Sequence, residues 1–261
     1  MKNKKFVTTI EARMTSSRLP GKVMMKIGNK EVISILIERI KKSRFVKDII
    51  VATTTNEDDN IIEKVARKLG VHCFRGDEID VLGRLSHALE NFNEENVIQL
   101  TGDNPLIDPE IIDYMCTYFL ESNSNYDFLT NNGLMNMDNH YVPLGMDVSI
   151  FKRKDLIEIS LKTNDPEDRE HPTLFFYRTG KSIYSVKNIE IPNIWQNTLG
   201  ARLTLDTKED FRVISEIYSA LNKKNEIFSL VDIYQFLKIN KDILKINTAI
   251  KHKIPSGLNE N

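Results

Sequence analysis

The 261-residue chain predicts an α/β domain built on a mostly parallel sheet. Two observations carry this reading. Short β-branched runs alternate with longer helical patterns through the first half, the rhythm of βαβ units. One of those runs, Asp48 to Thr53, has a continuous apolar centre, as a strand covered on both faces requires.

Taken in order, Phe6 to Ile10 predicts the first strand, followed by a polar loop through Lys22. Val32 to Ile40 predicts a helix, because Ile33, Leu36, Ile37 and Ile40 fall at helical spacing. Past the Asp48–Thr53 strand, Asp58 to Leu69 predicts a helix ended by Gly70, where a C-cap glycine belongs. A strand over Val71 to Phe74, a helix over Val81 to Phe92 and a strand over Val97 to Thr101 come next. Asp108-Pro109 then supplies an N-cap and a first-turn proline for a helix running to about Glu121.

After Tyr126 the rhythm changes. The stretch through His140 is rich in Asn, Asp, Gly and Met and predicts loops over a site, with Met135, Met137 and Met146 available to line an adaptable pocket or to pack the loops. A helix is expected over Phe151 to Leu161, a strand over Ser182 to Ile191, and a short strand over Arg202 to Leu205 that ends at Asp206. Thr207 and Asp210 form a near capping box for a helix to Leu221. Phe228 to Ile239 is a further helix, and the polar tail from His252 is expected to fray.

Composition narrows the function. Apolar residues at 41% and charged residues at 28% describe an ordinary globular protein, and a net charge of −1 argues against general nucleic-acid binding. Cys73 and Cys116 are isolated among apolar neighbours, with neither metal-ligand nor disulfide spacing, so both are expected in or near the core in a reducing compartment. The N-terminal apolar run soon meets Glu11 and Arg13, too short for a secretory signal, and no stretch approaches a membrane span. A cytoplasmic protein with no membrane partner is expected.

Ligands of open α/β sheets bind outside the carboxyl ends of the strands, so the chemistry is sought there. Glu11 to Lys22 follows the first strand and carries Arg13, Arg18 and Lys22 among Thr15, Ser16 and Ser17, a cationic and hydroxyl-rich loop suited to a triphosphate. It matches neither the Walker loop nor the dinucleotide glycine fingerprint. Thr101-Gly102-Asp103 ends the fourth strand, where the glycine permits close backbone approach and the aspartate can meet a metal. Asp206 offers a second carboxylate before a later helix.

Three segments then carry a family resemblance. A-R-M-T-S-S-R-L-P-G-K (Ala12 to Lys22) resembles the signature loop of the cytidylyltransferases that activate sugars, typified by the 3-deoxy-manno-octulosonate enzymes. L-T-G-D-N-P-L-I-D-P and L-T-L-D-T-K-E-D-F resemble that family's two metal motifs. F-R-G-D-E-I-D-V-L-G-R, P-L-G-M-D-V and D-P-E-D-R-E-H resemble the spore-coat polysaccharide branch. The octulosonate enzymes usually carry Glu where Asn104 stands, and their acceptor motifs are not found in this chain.

The resemblance implies a GT-A-like, Rossmann-related fold and transfer of CMP from CTP to a sugar, sugar acid or phosphorylated or phosphonate acceptor, releasing pyrophosphate. Ala12, Arg13, Met14, Thr15, Ser16, Arg18 and Lys22 would cradle the triphosphate, with Thr53, Arg75, Asp80, Arg84, Thr101 and Gly102 lining the nucleotide pocket. Arg13, Arg18, Lys22 and Asp103 would be catalytic, and Asp103 and Asp206 would hold Mg²⁺. Asn131, Asn132, Gly145, Asp147, Glu170 and His171 would face the acceptor, although a structural role for His171 before Pro172 is equally open. One domain over 1–261 is implied: a nucleotide half (1–125), an acceptor and dimerisation lobe (126–200) and a closing segment (201–251). A homodimer is expected from the relatives. A GT-A glycosyltransferase and a degenerate nucleotide-binding scaffold are the alternatives.

Overall fold

The computed structural model describes residues 6–122, 125–135, 140–222 and 227–252, so Met137 and the tail past His252 lie outside the described residues. The chain opens with β1 (Phe6–Glu11) and, after the long polar loop, a small hairpin of β2 (Lys26–Ile27) and β3 (Lys30–Glu31). Helix α1 spans Val32–Ile40, and β4 (Val46–Thr54) returns to pair with β1 in parallel. A second unit, α2 (Asn60–Lys68) and β5 (His72–Gly76), extends the sheet on the far side of β4. A third, α3 (Val81–Leu89) and β6 (Asn96–Thr101), crosses back to the other side of β1. This reversal of direction on either side of β1 opens a crevice at the strands' carboxyl ends.

Helix α4 (Pro109–Glu121) begins where the sequence predicts, Asp108 capping it by accepting from the Glu110 amide at 2.9 Å. The later segments join the same sheet: β7 (Phe128–Thr130), β8 (Ser149–Lys152) and β9 (Val186–Asn188) complete the order β5-β4-β1-β6-β8-β7-β9. Only β8 runs antiparallel to its neighbours. Residues 126–200 therefore extend the central sheet and also carry α5 (Arg153–Lys162), α6 (Pro166–Glu170) and α7 (Leu174–Tyr177). Helices α8 (Lys208–Leu221), α9 (Leu230–Ile239) and α10 (Lys241–Lys245) close the chain. No helix among the described residues is long and apolar enough to cross a membrane.

Alternation along the strands divides the core into two. Phe6, Ile10, Ile98, Leu100 and Ile150 face α1, α4, α8 and α9, whereas Val7, Ala52, Val97 and Phe151 face α3, α5 and α7. Towards the crevice the second face changes character. Thr9, Glu11, Gln99 and Ser149 share its parity, so a polar patch replaces apolar residues where α3 rises over the sheet end. Cys116 is buried and Cys73 half-buried, both free, and burial pushes the Cys73 thiol up to about 11.

Several expectations are corrected. Phe151 belongs to β8, not to the following helix, because it pairs with Val97 of β6 and the helix begins only at Arg153. The Ser182–Ile191 strand shrinks to β9, and β7 occupies part of the expected loop region. Arg202–Leu205 makes only a single bridge to Leu144 and forms no strand, since it has one short partner rather than a ladder. Met146 is buried in the core and packs the loops rather than lining the cavity described below.

Candidate active site

The basic loop after β1 is held from three directions. The Gly21 amide donates to the Met14 carbonyl at 2.7 Å, and Gly21 adopts φ 72°, a turn that glycine makes without strain. Leu19 and Val23 are buried beneath the loop. The fully buried Asp59 carboxylate accepts from the Met14 amide (2.7 Å), the Thr53 hydroxyl (3.0 Å) and the Thr54 amide (3.1 Å), fastening the loop to the end of β4.

So anchored, the loop turns its cations onto two carboxylates from distant parts of the chain. Lys22 Nζ lies 2.7 Å from Asp103 Oδ2 and 3.0 Å from Asp206 Oδ1, and Arg18 Nη2 lies 2.8 Å from the same Asp206 oxygen. Backbone geometry brings the aspartates together. The Leu205 amide donates to the Asp103 carbonyl (2.8 Å), and the Leu203 amide donates to the Leu144 carbonyl (2.7 Å). Asp210 completes its capping box and also accepts from the Asp206 amide and from Arg202 Nε, both at 3.0 Å. Burial favours neutral forms, yet the opposite charges outweigh it: Asp103 is held below the usual carboxylate range and Lys22 is raised.

A cavity of ≈ 440 Å³ opens beside this cluster. Among the expected residues, Ala12, Arg13, Ser16, Arg18, Lys22, Arg84, Thr101, Gly102, Asp103 and Asp206 line it. So do Asn132, Asp147, Glu170 and His171, which come from the far side of the sheet and from α6. Gly102 is required by close approach, because a Cβ there would stand 2.8 Å from the Glu11 carbonyl oxygen.

Other expected site residues stand elsewhere. Met14 supplies backbone to the Asp59 anchor, and the Thr15 hydroxyl donates to Glu78, which also faces Arg13. Thr53 is buried against Asp59. Arg75 turns back to the Thr54 carbonyl (2.9 Å) and Glu63 (3.1 Å). Asp80 caps α3 and forms a two-pronged pair with Arg169, whose Nη1 also holds the Ser160 and Thr163 carbonyls. That pair latches α3 to the helix carrying Glu170. Asn131 is fully buried and staples Met146 to Val148 through their backbones. Gly145, at φ 102°, packs onto Leu203, where a Cβ would meet the carbonyl carbon at 2.5 Å.

The cavity also holds residues that motif reading misses: Glu11, Gln99, Ser149, Tyr177, His140 and His252. Burial raises the Glu11 carboxyl to about 7, against smaller opposing effects of Gln99 and Arg84. His140 Nε2 lies 2.7 Å from Asp147 Oδ1, and that carboxylate raises the imidazole against its burial, while burial lowers His252. Three of the chain's five histidines therefore share this wall. Glu11 had a visible signal, a carboxylate ending an otherwise uncharged strand directly before the basic loop. The isolated histidines had none.

Residues 7–242 match the family described as Cytidylyltransferase. An uncharacterised protein of Methanocaldococcus jannaschii is 34% identical over 250 residues, covering 95% of this chain and 97% of its own. The spore coat polysaccharide biosynthesis protein SpsF of Bacillus subtilis is 33% identical over 238 residues, covering 89% and 94%. The solved structure of a cytidylyltransferase from Leptospira borgpetersenii superposes with a TM-score of 0.83 at 34% identity, over 95% of this chain and 99% of that one. The match runs from β1 into α10 and takes in both the cationic loop and the two aspartates it meets: the chain belongs to the cytidylyltransferase family and is a CTP-dependent nucleotidyltransferase.

Proposed function

We propose that the enzyme transfers CMP from CTP to an oxygen nucleophile on a small acceptor, with pyrophosphate as the leaving group. One observation carries the reading: Lys22 bridges Asp103 and Asp206 while Arg18 bears on Asp206. Cations for a triphosphate and a pair of hard oxygen ligands thus converge on one point of the cavity wall. Two carboxylates already sharing one cation fit a Mg²⁺ ion, which takes few protein ligands and completes its shell with phosphate and water. Asp103 and Asp206 would hold it, and when bound it supplies neutralisation of charge at the α-phosphate.

The remaining work falls to the chain. The acceptor oxygen attacks the α-phosphorus, the bond to the β-phosphate bridging oxygen breaks, and the acceptor's proton leaves to solvent or a neighbouring base. Arg13, Arg18 and Lys22 stabilise the charge that grows on the departing pyrophosphate. Asn132, Asp147, Glu170 and His171 orient the acceptor from the opposite wall, which converts a chance encounter into a positioned one.

Similarity to the spore coat protein supports an acceptor in the class of sugars, sugar acids or their phosphorylated or phosphonate relatives, used to build a surface polysaccharide. A cytoplasmic homodimer is part of the same proposal. The test is pyrophosphate release from CTP and Mg²⁺ across a panel of such acceptors. Release with one of them, lowered at least ~10³-fold in Asp103→Ala, is the expected result, several kcal/mol of transition-state stabilisation. An Asp103→Ala enzyme of undiminished turnover would sink the assignment.

A further inference from the structure

At the floor of the cavity, one group of side chains has no task in the reaction above. Glu11, the last residue of β1, lines the cavity with Gln99 of β6 and Arg84 of α3. Gln99 Nε2 donates to Glu11 Oε1 at 3.0 Å, the only hydrogen bond that this carboxylate accepts from a described side chain. No cation pairs with it among the described residues. Arg84 is 3% exposed, and its Nη1 is spent on the carbonyls of Asp77 and Glu78. Its Nε–H is buried without an acceptor. A carboxylate with capacity to spare therefore stands on the same wall as an orphaned donor. A buried donor left unmade bears its desolvation cost uncompensated, so such an arrangement calls for a ligand.

Position on the wall says which ligand. Glu11 is contiguous with Ala12 and Arg13, the start of the triphosphate loop, and the Gly102 amide donates to its carbonyl at 2.8 Å. Arg84 belongs to the same side, because Arg13 and Arg84 both donate to the Glu78 carbonyl, at 3.2 and 3.3 Å. Of the groups proposed to face the acceptor, Asn132 follows β7, beyond β8 and on the other side of it from Gln99, Asp147 directly precedes β8, and Glu170 ends α6. A nucleotide whose phosphates rest on the loop thus has its nucleoside within reach of this floor.

We propose that Glu11, steadied by Gln99 and acting together with the Arg84 donor, reads the base: it accepts from an exocyclic amino group while Arg84 donates to the adjoining ring nitrogen or oxygen. Of the two pyrimidines, cytosine is the one that presents that edge, donor beside acceptor. Uracil presents a carbonyl where cytosine has its amino group and meets the Glu11 carboxylate lone pair to lone pair. The inference rests on the cytidylyltransferase reading and names the residue that makes it base-selective.

The experiment is calorimetric titration of the full chain with CTP, UTP and dCTP, each with Mg²⁺, for wild type, Glu11→Gln and Gln99→Leu, with melting curves to verify folding. Wild type is expected to favour CTP over UTP. In Glu11→Gln the amide can donate to uracil, so the CTP:UTP affinity ratio falls ~10-fold or more while CTP:dCTP holds. Gln99→Leu, which frees the carboxylate without removing it, lowers the CTP:UTP ratio by ~3-fold and keeps the inference testable should the first variant not fold. A ratio unchanged in a folded variant, a wild type indifferent to base, or a change confined to CTP:dCTP each overturn base reading by Glu11. A wild type that binds no triphosphate at all fails the underlying proposal instead.

Discussion

The two walls of the cavity are built by opposite means. The phosphate wall is one contiguous loop, Ala12 to Lys22, pinned by a buried carboxylate and closed by short ion pairs to two aspartates. The opposite wall is assembled from Asn132, His140 and Asp147 between β7 and β8, Glu170 and Tyr177 at the ends of α6 and α7, and His252 after α10. Strong fixed charge on the first wall suits a ligand part common to every turnover, the triphosphate. Histidine, amide and carboxylate groups on the second suit the hydroxyl-rich acceptor proposed above.

The largest effect should come from breaking the phosphate wall. Lys22→Met removes the ammonium that two carboxylates share, and kcat/KM for CTP should fall ~10²–10³-fold, the cost of losing one preorganised charge at a site of developing negative charge. Steady-state pyrophosphate release at saturating acceptor measures it. If the loss appears only as a raised acceptor KM, the two walls have been assigned the wrong way round.

That wall is also the part of the site that could be read from residues alone. Its cations are neighbours in sequence, and local spacing records them directly. The same holds for α4 and α8, whose starts are set by Asp108-Pro109 and by Thr207 with Asp210. The other wall depends on pairings that no local pattern encodes. Phe151 is expected to open a helix but lies on β8, because β6 and β7 hold it on both sides. Asp80 and Arg75 sit in a segment whose resemblance to the spore-coat branch suggests nucleotide contact, yet one latches α3 to α6 and the other ties β5 back to the Asn56 carbonyl. Motif residues can be framework as readily as contact.

Between the walls lies the joint that brings Asp206 to Asp103, and it can be tested without any acceptor. Gly145 holds φ 102° with its α-carbon against the Leu203 carbonyl. Gly145→Ala adds left-handed strain and a clash that only backbone movement relieves, so about 3 kcal/mol of unfolding stability should be lost. Denaturant unfolding measures this. A loss below ~0.5 kcal/mol would mean that the Leu144–Leu203 contact does not hold the joint.

The smallest effect belongs to the acceptor wall and carries a pH signature. His140 is nearly enclosed, 4% exposed at its side chain, and its bond to Asp147 is worth most when the imidazole is charged. Burial opposes that charge but the carboxylate prevails, so the folded-state pKa stands above the unfolded value of 6.5. The sign follows: the folded state binds the proton more tightly, so the stabilisation is complete below about 6.5 and is lost as pH rises through the folded value. The unfolding free energy of wild type minus that of His140→Gln should thus exceed its alkaline value by about 1–2 kcal/mol in acid, the worth of a charge-assisted hydrogen bond. A difference that stays flat, or grows with pH, would show that the pair is not ionic. The second wall would then offer its proposed acceptor a neutral imidazole beside the carboxylates of Asp147 and Glu170.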